Sequence, residues 1–191
     1  MARFSHIAGD SALDLVNTVE WRLSDEQREE DLTDYAAVLE WCSESGMLTT
    51  EETERLGTVP DGAATKERAQ VLALREALYQ ALFQSDVDAI RVISAEVHQA
   101  LAAADYVPAD GGWHWQDRVV TSATPRHRIA RAIISLLSRD DLDRLHQCED
   151  AYCGWVFLDT SRAHNRRWCT TKSCGDRNRS RAYYYRKKAT S

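Results

Sequence analysis

Four cysteines near the C-terminal end of the sequence repeat one spacing. Cys148 and Cys153 form one C-x4-C pair, and Cys169 and Cys174 form a second pair after a gap of 15 residues. Thiolates are soft ligands that suit zinc, and two cysteines a few residues apart can supply two corners of a tetrahedron. The pattern predicts one zinc ion held by all four cysteines. Because four ligands leave no open coordination position, the predicted role of the metal is structural rather than catalytic.

Two histidines and one further cysteine complicate this ligand set. His146 precedes Cys148 by two residues and His164 lies between the pairs, so either is an alternative ligand, although either would break the symmetry of four thiolates. The fifth cysteine, Cys42, falls on the apolar face of a predicted helix. We therefore interpret Cys42 as a buried structural thiol with no part in the metal site.

A basic segment, DRNRSRAYYYRKK, follows the second cysteine pair. It contains neither proline nor glycine, and the acidic residue at its start and the lysines at its end complement a helix dipole, so we predict a terminal helix. One face of this helix would carry Arg177, Arg181, Tyr184 and Lys188, and another Arg179 and Arg186.

We predict that this helix, together with two arginines that precede Cys169, contacts nucleic acid. Arginine offers a fork that matches phosphate groups and guanine edges, and tyrosine can stack on an unpaired base. The predicted contact residues are Arg166, Arg167, Arg177, Arg179, Arg181, Tyr184, Arg186, Lys187 and Lys188. Two other interpretations of the helix stay open: a solvated tail, or a helix that docks on the acidic body of a partner subunit.

Charge is distributed unevenly along the chain, whose net charge is −6. Residues 148–191 hold ten Lys or Arg against four Asp or Glu, a net charge of +6, whereas residues 1–147 carry −12. Four thiolates and a zinc ion would reduce the positive charge to about +4. A basic patch on an acidic body suits a polyanion partner and discourages indiscriminate binding elsewhere, so duplex DNA is the predicted partner and RNA the alternative.

Composition excludes several classes of protein. The chain has 43% apolar and 28% charged residues and no apolar run approaching 18 residues, which predicts a globular protein with no membrane partner. Asp10, Asp14 and Glu20 interrupt the apolar stretch near the N-terminus, which a secretory signal would not tolerate, so we expect a cytoplasmic protein. In that reducing compartment, paired cysteines hold metal rather than form disulfides.

Residues 1–141 are predicted to form a bundle of helices, because apolar residues recur there at spacings of three and four. The predicted helices begin at Ser11 with Asp14 as its capping-box partner, at Asp31 or Thr33, at about Lys66, at Ser85 with Asp88, and at Thr124 with Pro125. The segment AADYVPADGGWHWQDRVV between two of the helices predicts a β-hairpin.

Residues 142–191 complete the predicted architecture. An apolar run after Cys153 and residues 142–146 would pair as two strands of a small zinc ribbon. The predicted fold class is therefore mainly α: an N-terminal helical bundle with a small β-hairpin, followed by a C-terminal four-cysteine zinc ribbon and a basic helix. Residues 1–141 would form one domain and residues 142–191 the other.

The stretch C-x4-C-x3-F-x-D-x-S-x4-RRWC-x4-CG-x-R, Cys148 through Arg177, resembles the CGNR zinc finger of bacterial transcription regulators. The segment ALDLVNT, residues 12–18, is similar to the LDxVNT signature that opens the ABATE domain, the partner domain in those proteins. The resemblance implies a stress-induced transcription regulator in which the four cysteines bind zinc and Arg177 contacts nucleic acid. Asp176 departs from the family's CGNR motif, and it would repel a phosphate or instead cap the terminal helix.

A regulator generally has an input, so we expect the helical domain to dimerise or to bind a small-molecule effector. Asp14, Asn17 and Thr18 lie within about one helical turn and are the candidate ligand-binding residues. The alternative is that Asn17 is a buried polar residue bonded to backbone. We find no phosphate-binding loop, G-x-S-x-G or H-E-x-x-H motif, and expect a regulator rather than an enzyme, while an enzyme with a catalytic N-terminal pocket is the alternative.

Overall fold

The computed structural model describes residues 2–189, and their regular structure is mainly α-helical, as predicted. The helices are α1 (Ser11–Val16), α2 (Tyr35–Glu44), α3 (Thr50–Leu56), α4 (Asp61–Phe83), α5 (Val87–Ala102), α6 (Thr124–Leu137) and α7 (Asp176–Ala189). The strands form three antiparallel pairs: β1 (Val19–Glu20) with β2 (Glu29–Glu30), β3 (Ala104–Ala109) with β4 (Gly112–Asp117), and β5 (Leu145–Gln147) with β6 (Val156–Leu158).

The chain folds into two compact units that are not continuous in sequence. The first unit comprises Leu32–Arg139 with the first residues up to Phe4, and the second comprises Ser5–Asp31 with the chain from Asp140 onward. The division predicted from the sequence, residues 1–141 and 142–191, instead follows chain order. It assigns residues 5–31 to the helical part, whereas in space they cluster with the cysteine-rich part.

The first unit is a helical bundle in which α4 packs against α2, α5 and α6. The apolar stripe of α4 lies in the core, where Val71, Leu74 and Leu78 are all inaccessible to solvent. Cys42 is also fully buried, and burial raises the pKa of its thiol to about 12, so it is an inert part of this core. The predicted bundle and the predicted buried thiol are confirmed.

Aspartates cap three helices, each one residue away from a predicted start. A carboxylate there accepts hydrogen bonds from backbone N–H groups of the first turn. The caps are Asp10 for α1, Asp34 for α2 and Asp86 for α5, where the sequence predicted starts at Ser11, at Asp31 or Thr33, and at Ser85. Helix α4 begins five residues before the predicted Lys66, because Pro60 precedes it with a fixed φ. Helix α3 was not predicted, because it is short and polar.

The predicted β-hairpin is confirmed. Strands β3 and β4 pair from Ala104 with Asp117 to Ala109 with Gly112. The turn between them uses Gly111, whose φ of +92° lies in the region that favours glycine. The hairpin brings Asp117 to the side of α6.

Three arginines of α6 are paired with carboxylates that other elements of the first unit supply. Arg126 bonds to Glu67 of α4 at 2.9 Å and to Glu96 of α5. The neighbouring turns of α6 bring two further arginines to the carboxylates of α3 and β4. These pairs are Arg128 with Glu52 at 2.6 Å, Arg128 with Asp117 at 2.7 Å and Arg131 with Asp117 at 2.6 Å. Their partners come from distant parts of the sequence, so the tertiary fold neutralises a basic helix.

The second unit is built on the pair β5–β6, as the zinc-ribbon prediction required. The three residues of β6 are buried, and α1 packs against this strand. Gly154, just before β6, has a φ of +70°, and a Cβ there would lie 2.8 Å from the Cβ of Arg22. Glycine is therefore needed where the segment of residues 5–31 approaches the cysteine-rich part of the chain.

Candidate metal centre and nucleic-acid interface

The four predicted cysteines meet at one point in the second unit. The sulfur atoms of Cys148, Cys153, Cys169 and Cys174 all lie within 4.8 Å of one another, and all four residues are buried. The Sγ–Sγ distance is 3.7 Å for Cys153 and Cys169 and 3.4 Å for Cys169 and Cys174. A zinc–sulfur bond of about 2.3 Å implies tetrahedral S–S edges of roughly 3.8 Å. The four sulfurs are thus positioned to bind one metal ion, as one structural zinc requires.

Short local structures deliver the four ligands. Cys148 directly follows β5, and its backbone N–H donates to the carbonyl of Trp155 at 2.7 Å, which closes the turn that contains Cys153. In the second pair, Cys169 precedes a π-helical turn at Thr171–Gly175 and Cys174 lies within it. The Thr170 hydroxyl accepts a hydrogen bond from the Ser173 N–H at the start of this turn. Among the described residues, neither His146 nor His164 joins the cluster, so the four-cysteine set is confirmed.

Electrostatics of the cluster call for a cation. Hydrogen bonds from the thiols of Cys153 and Cys169 hold the pKa of Cys148 below its usual range, whereas the hydrogen bonds that Cys153 makes with Cys148 and Cys169 raise the pKa of Cys153. Four thiols this close cannot all ionise without a compensating charge. A bound zinc ion would supply that charge, and the donor set of four soft sulfurs fits zinc.

Arg177 ties the terminal helix to this cluster. Its Nη2 donates to the sulfur of Cys174 at 3.0 Å, and its Nε donates to the carboxylate of Asp150 at 2.9 Å. The guanidinium also lies 4.4 Å from the centre of the Trp21 ring. These contacts give Arg177 three partners inside the protein. Its role in contacting nucleic acid stays a prediction.

Asp150 is the second anchor of α7, and the sequence did not single it out. This buried carboxylate also accepts from the Asn178 amide at 2.7 Å and from the Tyr152 backbone N–H at 3.2 Å. Burial acts to raise the pKa of Asp150, but the hydrogen bonds from Arg177 and Tyr152 outweigh it and hold the pKa below its ordinary value. Asp150 lies between the first two cysteines, and no linear pattern marks it as the partner of a helix 27 residues later.

The three candidate ligand-binding residues serve the second unit. Asn17 makes two bonds with the backbone of Val156 in β6: its amide donates to the carbonyl at 2.9 Å and its carbonyl oxygen accepts from the N–H at 2.8 Å. Asp14 accepts from the backbone N–H of Ala8, and the Thr18 hydroxyl donates to the carbonyl of Leu15. Burial raises the pKa of Asp14. Their role in ligand binding stays a prediction, since each already has a partner within the protein.

The two arginines before Cys169 also have intramolecular partners. Arg166 donates to the backbone carbonyls of Trp168 and Cys169, and its guanidinium lies 4.0 Å from the centre of the Phe157 ring. Arg167 is exposed and forms an ion pair with Glu149. Arg166 therefore stabilises the loop that carries Cys169, while Arg167 stays accessible.

Helix α7 has one side whose residues contact Asp150 and Tyr152 of the second unit, and an opposite side whose residues are exposed. The contacting side holds Arg177, Asn178 and Arg181, the last of which lies over the ring of Tyr152. At 100° per residue, the opposite side begins with Asp176 and continues with four further exposed residues, which we call the outer face. The outer face consists of Arg179, Tyr183, Arg186 and Lys187.

The other predicted residues of α7, Tyr184 and Lys188, are also exposed, and they lie on the side of the helix that carries Arg177 and Arg181. Tyr183, Tyr184 and Tyr185 each keep more than 60% of their surface accessible. Of these tyrosines, Tyr184 alone was predicted from the sequence, because it shares a helical face with Arg177 and Arg181. In the structure, the first two turns of α7 direct this face toward the rest of the second unit.

The fold and the cysteine geometry define a mainly helical protein with a C-terminal four-cysteine zinc finger. A family model for the CGNR zinc finger matches residues 144–187, and the ABATE family model, described as "Putative stress-induced transcription regulator", matches residues 9–140. The chain belongs to the ABATE family. No curated protein matches the chain. Within residues 2–189, no helix combines the length and apolar character needed to cross a membrane.

Proposed function

We propose that this protein is a cytoplasmic, zinc-dependent transcription regulator whose second unit binds duplex DNA through α7. One observation carries the proposal: α7 is fixed at its first turn, where Arg177 and Asn178 both bond to the buried Asp150 beside a metal ligand. A helix anchored in this way presents its outer face in a defined direction. Preorganisation of this kind lowers the entropic cost of docking on a rigid partner.

Size and charge of α7 favour duplex DNA. Its 14 residues span about 21 Å, and the major groove of B-DNA admits an α-helix. The cations of the outer face can meet phosphates or base edges, and release of counterions makes such binding strongly salt-dependent. The major groove of duplex RNA is deep and narrow, so a helix does not enter it readily.

RNA is the second candidate partner, and the three exposed tyrosines favour it. Tyr183, Tyr184 and Tyr185 offer aromatic rings next to cations, which is the combination that binds unpaired bases. A single-stranded RNA could stack on these rings without any groove. An acidic protein is a third partner on which this basic helix could dock.

We assign the first unit a regulatory role, either dimerisation or effector binding, and no catalytic activity. An open cleft of about 500 Å³ in this unit is lined by Asp34, Tyr35, Asp61 and Arg68, among others. That volume is within the range of small-molecule sites. A regulator of this design would couple the first unit to DNA binding by the second.

The test is a selection from random duplex DNA with the zinc-loaded full-length protein at near-physiological salt. The outer-face variant Arg179→Ala/Arg186→Ala is compared with Arg181→Ala, whose guanidinium lies over Tyr152. We expect a recovered motif with the wild type, and a salt slope for the outer-face variant that is shallower by about 0.9 for each lost contact. Arg181→Ala should keep most of the affinity.

Two outcomes would contradict the proposal. Unchanged duplex affinity of the outer-face variant would eliminate this face as the contact surface. Stronger binding of single-stranded RNA than of duplex DNA, lost on Tyr183→Ala/Tyr184→Ala substitution, would establish the RNA alternative. Zinc content is measured for every variant, so that loss of the metal is not mistaken for loss of a contact.

A further inference from the structure

Asp176 is the first residue of α7 and the single carboxylate between Cys174 and Lys188. Its side chain is 58% exposed and accepts a hydrogen bond from Nη2 of Arg179, which is 59% exposed. At 100° per residue Asp176 lies on the same side of the helix as the outer face. The first cation of that face is therefore already paired with a negative charge at its own end of the helix.

Contacts around Arg179 show in which direction its guanidinium points. Nη2 also donates to the backbone carbonyl of Thr171 at 3.4 Å, and Nη1 lies 3.3 Å from the position that a Cβ of Gly175 would occupy. Both residues precede α7. The guanidinium is therefore folded back over the π-helical turn instead of extending along the outer face toward Tyr183.

We propose that Asp176 restrains Arg179 and lowers the affinity of α7 for the phosphate backbone of duplex DNA. The inference rests on the proposed function, because it concerns the same face and the same partner. Asp176 acts in two ways. It competes with phosphate for the guanidinium, and its negative charge repels any phosphate that meets the start of α7.

The restraint adjusts affinity without blocking binding. An ion pair between two exposed side chains is weak, so a phosphate can displace the carboxylate. The charge itself stays within a Debye length, about 10 Å at 0.1 M salt, of any phosphate that meets the start of α7. Removing one such charge changes affinity by roughly three- to tenfold.

A carboxylate paired with arginine could have the opposite role of holding the guanidinium ready for a guanine edge. Bidentate recognition of guanine needs two adjacent N–H groups directed at the base. Here Nη2 is engaged by Asp176 and Thr171, and Nη1 lies against Gly175. The folded-back geometry favours restraint, and the two roles predict opposite signs for the same substitution.

The test measures duplex DNA affinity of the zinc-loaded full chain as a function of salt, with random-sequence duplex as the probe. Asp176→Asn keeps the shape of the side chain and removes its charge, and Asp176→Ser is a second variant that retains a good helix-terminus residue. Asp143→Asn is the matched control, since it removes the same charge from an exposed position of the same unit. Arg179→Ala and Asp176→Asn/Arg179→Ala complete a double-mutant cycle.

We expect Asp176→Asn and Asp176→Ser to bind roughly three- to tenfold more tightly, with a salt slope steeper by up to about 0.9. The gain should shrink in the Arg179→Ala background, and Asp143→Asn should match the wild type. Unchanged or weaker binding by both Asp176 variants, with zinc and helix content intact, overturns the restraint while leaving the proposed function in place. Absence of salt-dependent duplex binding by the wild type overturns both.

Discussion

Helix α6 carries three arginines and helix α7 carries four, yet the fold uses them in different ways. Arg126, Arg128 and Arg131 of α6 meet carboxylates from α3, α4, α5 and β4. In α7, Arg177 meets Asp150 and Arg179 meets Asp176, while the last turns of the helix carry exposed cations. The basic helix whose cations stay exposed is therefore the candidate interface.

The two units also differ in what holds them together. The first unit has a buried apolar stripe and paired charges, so its stability comes from packing over a long helical interface. The second unit has short strands and a small core, and a metal site must supply much of its folding free energy. Substitutions that act on one unit and spare the other test this division.

The largest expected effect is loss of the metal. Cys174→Ser should reduce bound zinc from about one ion per chain to near zero and unfold the second unit, because structural zinc contributes roughly 10–16 kcal/mol in small peptides. The matched control is Cys42→Ala, which removes the buried thiol of the first unit and should retain zinc. Metal analysis and amide hydrogen exchange measure both. Retention of zinc by Cys174→Ser would contradict the four-thiolate site.

The next effect concerns the paired arginines of α6. Arg126→Ala leaves Glu67 and Glu96 without their buried cation, which should destabilise the first unit by about 3–5 kcal/mol. Zinc content should not change. Thermal and urea unfolding of the variant measure the loss, and Arg186→Ala on the outer face of α7 is the control, with an expected change within about 0.5 kcal/mol. Equal destabilisation by both substitutions would remove the distinction between the two helices.

A smaller effect is expected from the N-terminal segment. Asn17→Ala leaves the N–H and carbonyl of Val156 without their side-chain partners, which should destabilise the second unit by about 1–3 kcal/mol. We expect the variant to release zinc to a chelator faster than the wild type does. Asn17 would then affect the metal site although it lies 139 residues from Val156 in the sequence. Asn165→Ala, at an exposed position of the same unit, is the control. Destabilisation of the first unit instead would contradict the assignment of residues 5–31.

Local patterns were sufficient to predict the metal ligands, the hairpin, the pair β5–β6 and the terminal helix. Each depends on spacing or composition within a short stretch, and soft ligands at regular spacing have few alternatives. Contacts between segments that are distant in the sequence could not be predicted from local patterns. The bonds of Asn17 to Val156 and of Arg177 to Asp150 join segments whose proximity depends on the whole fold.

The charge pattern of the sequence identified the basic end of α7, but it did not show which residues at the start of the helix are engaged within the protein. Charge asymmetry pointed to the basic tail, and its last described residues are exposed. Helical periodicity alone could not show which face of α7 contacts the rest of the second unit. The predicted nucleic-acid face therefore included Arg177 and Arg181. Hydrophobic periodicity could not orient α7, since the helix is polar nearly all round.

The smallest expected effect is an acid dependence of the first unit. Hydrogen bonds from Arg128 lower the pKa of Glu52 to about 2 from its ordinary value of 4.5. Because the folded-state pKa is depressed, the pair adds stability above pH 4.5 that is lost as pH falls toward 2. Glu52→Gln should be less stable at neutral pH, and its stability should fall less between pH 4.5 and 2.

Urea unfolding of the first unit across that range measures this, with Glu51→Gln on the exposed side of α3 as the control. Identical pH profiles for wild type and Glu52→Gln would show that Arg128 contributes through packing of its stem and not through its charge.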